Sequence, residues 1–350
     1  MMRHPMRSLS DSLSGPLDER DLDAHLSTPD DATVQALESL DGDIMILGAG
    51  GKMGPTVARM AQQANARSSR RVIAVSRFRD IAAADALRAI GVHVVYANLS
   101  NPRDVATLPD APNVVWMAGQ KFGTTGDPVG TWTHNVVASA LAAQRCAGAR
   151  IVCFSTGNVY GPSAVADGGS REDAALRPDG EYAASCVGRE RVFESIARDT
   201  GSPLLLYRLF YACDLRYGVV TDIALKVLSG TPVALDAGFV NVIWQGDANR
   251  LALRALTITS TPATALNVTG AIVSVREIGE RVAGHANVRA QFTGTESEHA
   301  LLGNISALTR TLPHAALPLD TLCAWAVAWI RADGRLLNKP TKFEVRDGKF

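Results

Sequence analysis

Four glycines fall within Gly48-Ala-Gly-Gly51-Lys-Met-Gly54, directly after the apolar run Ile44–Leu47 and at the head of an alanine-rich segment, Lys52–Asn65. In a strand–turn–helix setting, Gly48 permits the tight turn, Gly51 lets the backbone approach a ligand, and Gly54 lets the helix pack close to its strand. Around Lys52 and Met53 the new helix exposes N–H groups and the positive end of its dipole, a ready seat for phosphates. The chemistry is the grip of a dinucleotide pyrophosphate. A nucleotide-hydrolase loop is excluded, because Met53 stands where Lys52 would need a following Ser or Thr.

Two further groups extend this reading. A second β-branched run ends Ala74-Val75-Ser76-Arg77-Phe78-Arg79. An NAD site places a carboxylate about 20 to 30 residues past the turn, on the ribose 2′-OH. Ser76 cannot repel a 2′-phosphate, and Arg77 with Arg79 can clamp one, so NADP(H) is favoured and NAD stays open. The third group is the loop Gly119-Gln-Lys-Phe-Gly-Thr-Thr-Gly126, which carries Lys121 just beyond Met117 and Ala118. Coming after the fourth strand, it opens into the crevice where such sheets bind ligands, and Met117, Ala118 and Gly119 are cofactor-contact candidates.

The elements that must hold these groups are legible as a rhythm. Short apolar runs (Ile44–Leu47, Val72–Val75, Val92–Tyr96, Val114–Met117, Ile151–Phe154, Leu204–Leu209) alternate with helical runs (Lys52–Asn65, Asp80–Ile90, Gly130–Ala147, Tyr182–Arg198). Strands apolar on both faces and joined through helices mean a parallel, doubly wound α/β sheet. The expected domains are an N-terminal extension (1–43, with an amphipathic stretch Asp31–Leu40), a Rossmann-type dinucleotide-binding domain (44–207), a smaller C-terminal substrate-binding cap (208–331, partly returning to the sheet) and a charged tail (332–350).

The run Ser155-Thr156-Gly-Asn158-Val159-Tyr160-Gly161, the glycine pattern, Asn135, and Tyr182-x-x-Ser185 followed by Glu190 resemble the extended short-chain dehydrogenase/reductases, the NAD(P)-dependent epimerase/dehydratase family. The resemblance spans about residues 44 to 330. It implies a cleft between the two domains, Asn135 at the cofactor, Thr156 and Asn158 toward the substrate, and Tyr182 as the acid/base that also borders the cofactor. A phenol and a hydroxyl converging on one oxygen can move a proton and hold developing charge. The departure is at Cys186, where the family pattern Tyr-x-x-x-Lys requires a lysine one helical turn beyond Tyr182. That lysine ordinarily holds the nicotinamide ribose and lowers the phenol pKa. Three ways round the loss stay open: Lys121 on its loop is the candidate stand-in; Arg189, two turns along the helix, is expected in a structural ion pair instead; or the phenol acts only as a proton donor, for which a high pKa is tolerable.

Other candidates carry less. Tyr211 and Arg216 lie where the cap begins, and Arg216 suits a carboxylate or phosphate. Gln245, beside Trp244, fits a substrate-pocket wall. Trp325 and Trp329, at i and i+4, read as core. The seven histidines lack ligand spacing, so no metal is expected. Basic and acidic residues balance at 35 each, so neither nucleic acid nor an anionic membrane is an expected partner. No apolar run reaches the roughly 20 residues of a membrane span. Five cysteines without a C-x-x-C pair suggest a reducing cytoplasm. The expected protein is therefore an NAD(P)-dependent oxidoreductase or epimerase for a sugar-like or hydroxy-acid small molecule. It is expected to form a homodimer through a face such as Gly130–Ala147 or Tyr182–Arg198. The competing reading is a catalytically inactive dinucleotide sensor or scaffold, which the missing lysine favours.

Overall fold

The computed structural model describes residues 15–338, 341, 343 and 344. The start of the expected N-terminal extension and much of the expected tail lie outside them. Each short apolar run becomes a parallel strand: β1 (Ile44–Leu47), β2 (Val72–Ser76), β3 (His93–Tyr96), β4 (Asn113–Trp116), β5 (Arg150–Thr156) and the strand Leu204–Leu209. A seventh, Thr264–Val268, returns from the cap to pair in parallel with Leu204–Leu209. Across the sheet the order is Thr264–Val268, Leu204–Leu209, β5, β4, β1, β2, β3. The order reverses at β1, so the crevice opens beyond the carboxyl ends of β1 and β4.

Alternation along each strand feeds two cores. Ile44, Ile46, Val115, Val152 and Tyr207 face one layer of helices, and Met45, Leu47, Val114, Trp116 and Cys153 face the other. With both faces covered, these strands have no polar side, which is why their sequence shows continuous apolar runs. The cap has its own core among helices Val219–Leu228, Val275–Ala286 and Leu319–Arg331, where Trp325 and Trp329 are buried as expected.

Two departures bear on the site. The N-terminal extension holds two helices, Glu19–Ser27 and Asp31–Glu38, with Asp18 and Asp30 as their N-caps. Leu22 and Leu26 enter the cap core and Leu37 the sheet core, so the extension ties the two together. Too few apolar residues mark the first helix for a periodicity to show. The expected helix Gly130–Ala147 is instead Pro128–Trp132, a π-helical turn Thr133–Val137, and Ala138–Arg145. The π turn carries the fully buried Asn135; such turns often mark functional sites.

Candidate active site

The glycine turn is shaped by what a side chain would strike. Gly48 sits at φ 93°, and a Cβ there would come within 2.5 Å of the Ala118 backbone nitrogen, closing the switch point between β1 and β4. A Cβ on Gly54 would lie 2.5 Å from the Ala49 carbonyl oxygen. Helix Gly54–Ala64 therefore starts against the strand, with Pro55 in its first turn and its N–H groups aimed out of the turn. Above it runs a groove of about 680 Å³, lined by Gly48, Gly50, Gly51, Ser76, Arg77, Phe78, Arg79 and the segment Met117–Phe122.

At the far end of the groove, Arg77 and Arg79 are exposed around the buried Phe78, whose φ of 38° turns the chain. Asp80 also lines the groove, but its carboxylate caps the next helix at the Ala83 amide (3.3 Å). His134 completes this end, hydrogen-bonded to Ser100 (3.0 Å). Burial holds its pKa down, and the charges of Arg77 and Arg79 push it the same way.

A second cavity of about 410 Å³ shares Gly51 and Met117–Phe122 with the groove and reaches beneath the cap. Thr156 ends β5 and Tyr182 lies in the first turn of helix Gly180–Thr200; both line this cavity. Thr156 and Cys186 lie close enough to Tyr182 for both to bear on its phenol. Burial raises the phenol pKa well above its ordinary value and the thiol adds to that, while Arg189 and Thr156 oppose it. The phenol is accordingly protonated at neutral pH.

Two cations attend this pair. The Lys121 ammonium lies 5.8 Å from the centre of the Tyr182 ring; burial pushes its pKa down to about 8, and Cys186 opposes the shift. Arg189, 5% exposed, makes no ion pair among the described residues, contrary to expectation. Its guanidinium donates to neutral acceptors instead: the Phe154 carbonyl (2.9 Å), the Asn135 carbonyl (3.3 Å) and Asn135 Oδ1 (2.7 Å). Helical side chains lean toward the N-terminus, and the Arg189 charge is felt at the phenol, whose pKa it lowers, although Arg189 is two turns away in sequence. The carboxylate beside it, Glu190, is taken by Arg208 (2.8 Å) and Ser155 (2.5 Å), a buried network that locks β5 to the helix.

Not every expected contact faces a cavity. Asn135 lines neither; it accepts from the Gln120 amide (2.8 Å) and donates to the Gln120 carbonyl (2.9 Å) and the Ser185 hydroxyl (2.9 Å), bracing the loop that carries Lys121. Asn158 is likewise off the cavity wall, donating through Nδ2 to Thr156 Oγ1 at 3.1 Å. Tyr211 and Gln245 line the cavity. Arg216 is held by Asp214 (2.8 Å) and by Asp23 of the N-terminal extension (3.0 Å). Lys52 and Met53 line the second cavity rather than the groove. Sequence reasoning missed Phe122, Tyr217 and Thr341, all on the wall of the second cavity. The aromatic next to Lys121 was the one available signal.

Residues 44–230 match the family described as NAD dependent epimerase/dehydratase, whereas no curated protein matches the chain in sequence. Among solved structures, a putative epimerase from Burkholderia cenocepacia J2315 superposes with TM-score 0.69 at 19% identity, covering 83% of this chain and 99% of its own. A UDP-glucuronic acid 4-epimerase from Bacillus cereus, in complex with NAD, gives 0.68 at 16% identity over 83% of this chain and 98% of its own. DesIV, a dTDP-glucose 4,6-dehydratase from Streptomyces venezuelae solved with NAD, gives 0.67 at 19% over 83% and 97%. At these identities the superpositions speak for a shared fold; the sequence match, over more than half of the chain, goes further. The chain belongs to the NAD dependent epimerase/dehydratase family and is an enzyme of that type.

Proposed function

We propose that the protein is an NAD(P)-dependent oxidoreductase or epimerase, NADP(H) being favoured and NAD open, acting on a sugar-like or hydroxy-acid substrate, with Tyr182 as proton donor and acceptor. The observation that carries this reading is the Tyr182–Thr156 hydroxyl pair, facing a cavity continuous with the dinucleotide groove. The groove fits a dinucleotide: the glycine cradle Gly48–Gly51 and Met117–Gly119 line it, and helix Gly54–Ala64 starts directly after the cradle. When bound, the nicotinamide supplies the hydride acceptor or donor.

The substrate oxygen is seated between Tyr182 and Thr156. Tyr182, protonated at neutral pH, gives its proton to a carbonyl oxygen as that oxygen gains charge, and takes it back from a carbinol in the reverse direction. Thr156 holds the same oxygen, and Asn158 fixes the Thr156 hydroxyl. Lys121 and Arg189 supply the positive charge that the lysine at the Cys186 position supplies in the family pattern. Tyr211 and Gln245 form the substrate wall. Ser76, Arg77 and Arg79 favour the 2′-phosphate, since the carboxylate nearest the end of β2 serves as a helix cap.

The proposed pairing of two copies uses the Gly130–Ala147 face, a reading supported by the exposed Trp132 and Val137. The five cysteines are free and buried, which suits a reducing cytoplasm. No described helix is long and apolar enough to cross a membrane. A second reading, a catalytically silent dinucleotide sensor, is favoured by the thiol that stands against the phenol in place of a cation. Absorbance at the reduced-nicotinamide band, followed with NADP(H) and a panel of aldoses, sugar acids and hydroxy acids, separates the two. Turnover that Tyr182→Phe abolishes supports the enzyme. Tight NADP(H) binding without turnover of any panel member supports the sensor.

A further inference from the structure

The end of the dinucleotide groove lined by Arg77 and Arg79 draws side chains from three segments. The two arginines come from the turn after β2, exposed on either side of the buried Phe78. Ser100 comes from the segment that follows β3, and His134 from the π turn Thr133–Val137. Among the described residues that line this groove His134 is the only histidine, the side-chain type whose charge ordinarily changes between pH 5 and 8.

The imidazole is held in place from one side. Its Nδ1 lies 3.0 Å from the Ser100 hydroxyl, and Nε2 makes no hydrogen bond among the described residues. The charges that act on the ring are those of Arg77 and Arg79, which disfavour its cation, and of Asp127, which favours it. Asp127 caps helix Pro128–Trp132 at the Gly130 amide (2.8 Å), Asp80 caps the next helix at Ala83 (3.3 Å), and Asp104 accepts from the Asn98 amide (2.8 Å). Lys121 lines the groove as well, with its ammonium toward Tyr182. Partly buried beside two guanidinium groups, the ring is neutral at pH 7. An anion entering between the three groups reverses that balance, because an opposite charge within about 4–6 Å favours the imidazolium.

Resting on the NADP(H) reading above, we infer that His134 is a specificity-determining residue of the dinucleotide site, which joins Arg77 and Arg79 in binding the 2′-phosphate. It takes up a proton from solvent as the phosphate enters and donates a charge-assisted hydrogen bond to a phosphate oxygen. NAD+, which has a hydroxyl at that position, calls for no such uptake. Because the NADP+ complex holds this proton more tightly than the free protein does, NADP+ affinity rises as pH falls toward neutrality and below.

The test is calorimetric titration of the full chain with NADP+ and with NAD+ between about pH 8.5 and 6.5, in buffers of different ionisation enthalpy. It is repeated with His134→Gln and with the double variant Arg77→Ala/Arg79→Ala. Wild type binds NADP+ about threefold to tenfold more tightly at the low end of that range, up to one pK unit of coupling, while NAD+ affinity holds within about twofold. The phosphate's own ionisation near pH 6 opposes the trend, but it is common to all three proteins, so the difference between wild type and His134→Gln isolates the ring. His134→Gln, which keeps a polar partner for Ser100, loses the proton uptake and the rise in affinity and binds NAD+ as wild type does. A histidine that only packs the groove would leave the pH profile unmoved. The inference is overturned if the proton uptake survives in His134→Gln, if wild type shows none, or if the variant weakens both dinucleotides alike. NADP+ that binds wild type no more tightly than NAD+, and is indifferent to the arginine pair, sinks the 2′-phosphate reading itself. An NADP+ preference that is lost with the arginines but not with His134 sinks this inference alone.

Discussion

The two halves of the cleft are built by different means. The dinucleotide half is largely backbone: a glycine turn closed against the Ala118 nitrogen and the Ala49 carbonyl, and a helix start. The other half, proposed above as the catalytic one, is side chains gathered from the turn (Lys52), the loop after β4 (Lys121, Phe122), β5 (Thr156), the long helix (Tyr182, Arg189), the cap (Tyr211, Tyr217, Gln245) and the tail (Thr341). A backbone cradle depends on the few residues that must be glycine. A side-chain site depends on long-range geometry, so a residue can be lost from one element and its charge restored from another. On the proposed function the Cys186 position is such a case: the ammonium is missing from the helix, while Lys121 stands on a loop near the phenol and Arg189 farther along the same helix.

The sharpest break between the halves comes from Tyr182→Phe. Loss of the proton donor lowers kcat by roughly 10²–10⁴-fold and leaves NADP+ affinity within about threefold, because the groove does not use the phenol. Stopped-flow and equilibrium titration check both; a parallel loss of affinity would mean that the halves are not separable. Next in size is Gly54→Ala. Its Cβ meets backbone at 2.5 Å, which forces strand and helix apart at a cost of about 1–3 kcal/mol. A lower denaturation midpoint together with weakened NADP+ binding is expected. An unchanged midpoint removes the steric account of that glycine.

The dinucleotide half has one part made of side chains, and it should behave as side chains do. Replacing both Arg77 and Arg79 with alanine removes charge-assisted hydrogen bonds of about 1.5–3 kcal/mol. NADP+ affinity therefore falls roughly tenfold to a hundredfold while NAD+ affinity holds. Equal losses for both dinucleotides, or none, refute a 2′-phosphate clamp.

This contrast also explains what could be read from sequence. The sheet strands from β1 to Leu204–Leu209 and the glycine turn were legible because burial on both sheet faces imposes apolar runs, and because a turn against backbone tolerates only glycine. The Thr156–Tyr182 pair was legible only through resemblance, since nothing in their spacing brings a strand end to a helix start 26 residues later. Asn135 was recognisable as important, but its work as a brace was not, because the π turn that buries it leaves no periodic mark. Arg189 was expected to find a carboxylate. Glu190 next door was already held by Arg208 from a strand that follows later in the chain. Phe122, Tyr217 and Thr341 converge from three segments, and no local pattern announces such convergence.

The smallest expected effect is also the most discriminating, because it separates catalysis from stability at one residue. Burial holds the Lys121 pKa at about 8, against an ordinary value of 10.5. If its positive charge assists Tyr182, kcat falls as pH rises through about 8, and Lys121→Met lowers kcat about tenfold and removes that alkaline limb. A lysine whose folded pKa is depressed binds its proton less readily when folded. The burial of the cation therefore costs stability below about pH 8, and the cost fades between pH 8 and 10.5 as the unfolded chain also loses the proton. Lys121→Met should thus melt at a higher temperature than wild type at pH 7, with the gain vanishing by about pH 10.5. Gln120, fixed on both sides by Asn135, keeps the loop in place in the variant. A variant that is stabilised at pH 7 but keeps full activity and the wild-type pH profile would assign the cationic role to Arg189 alone.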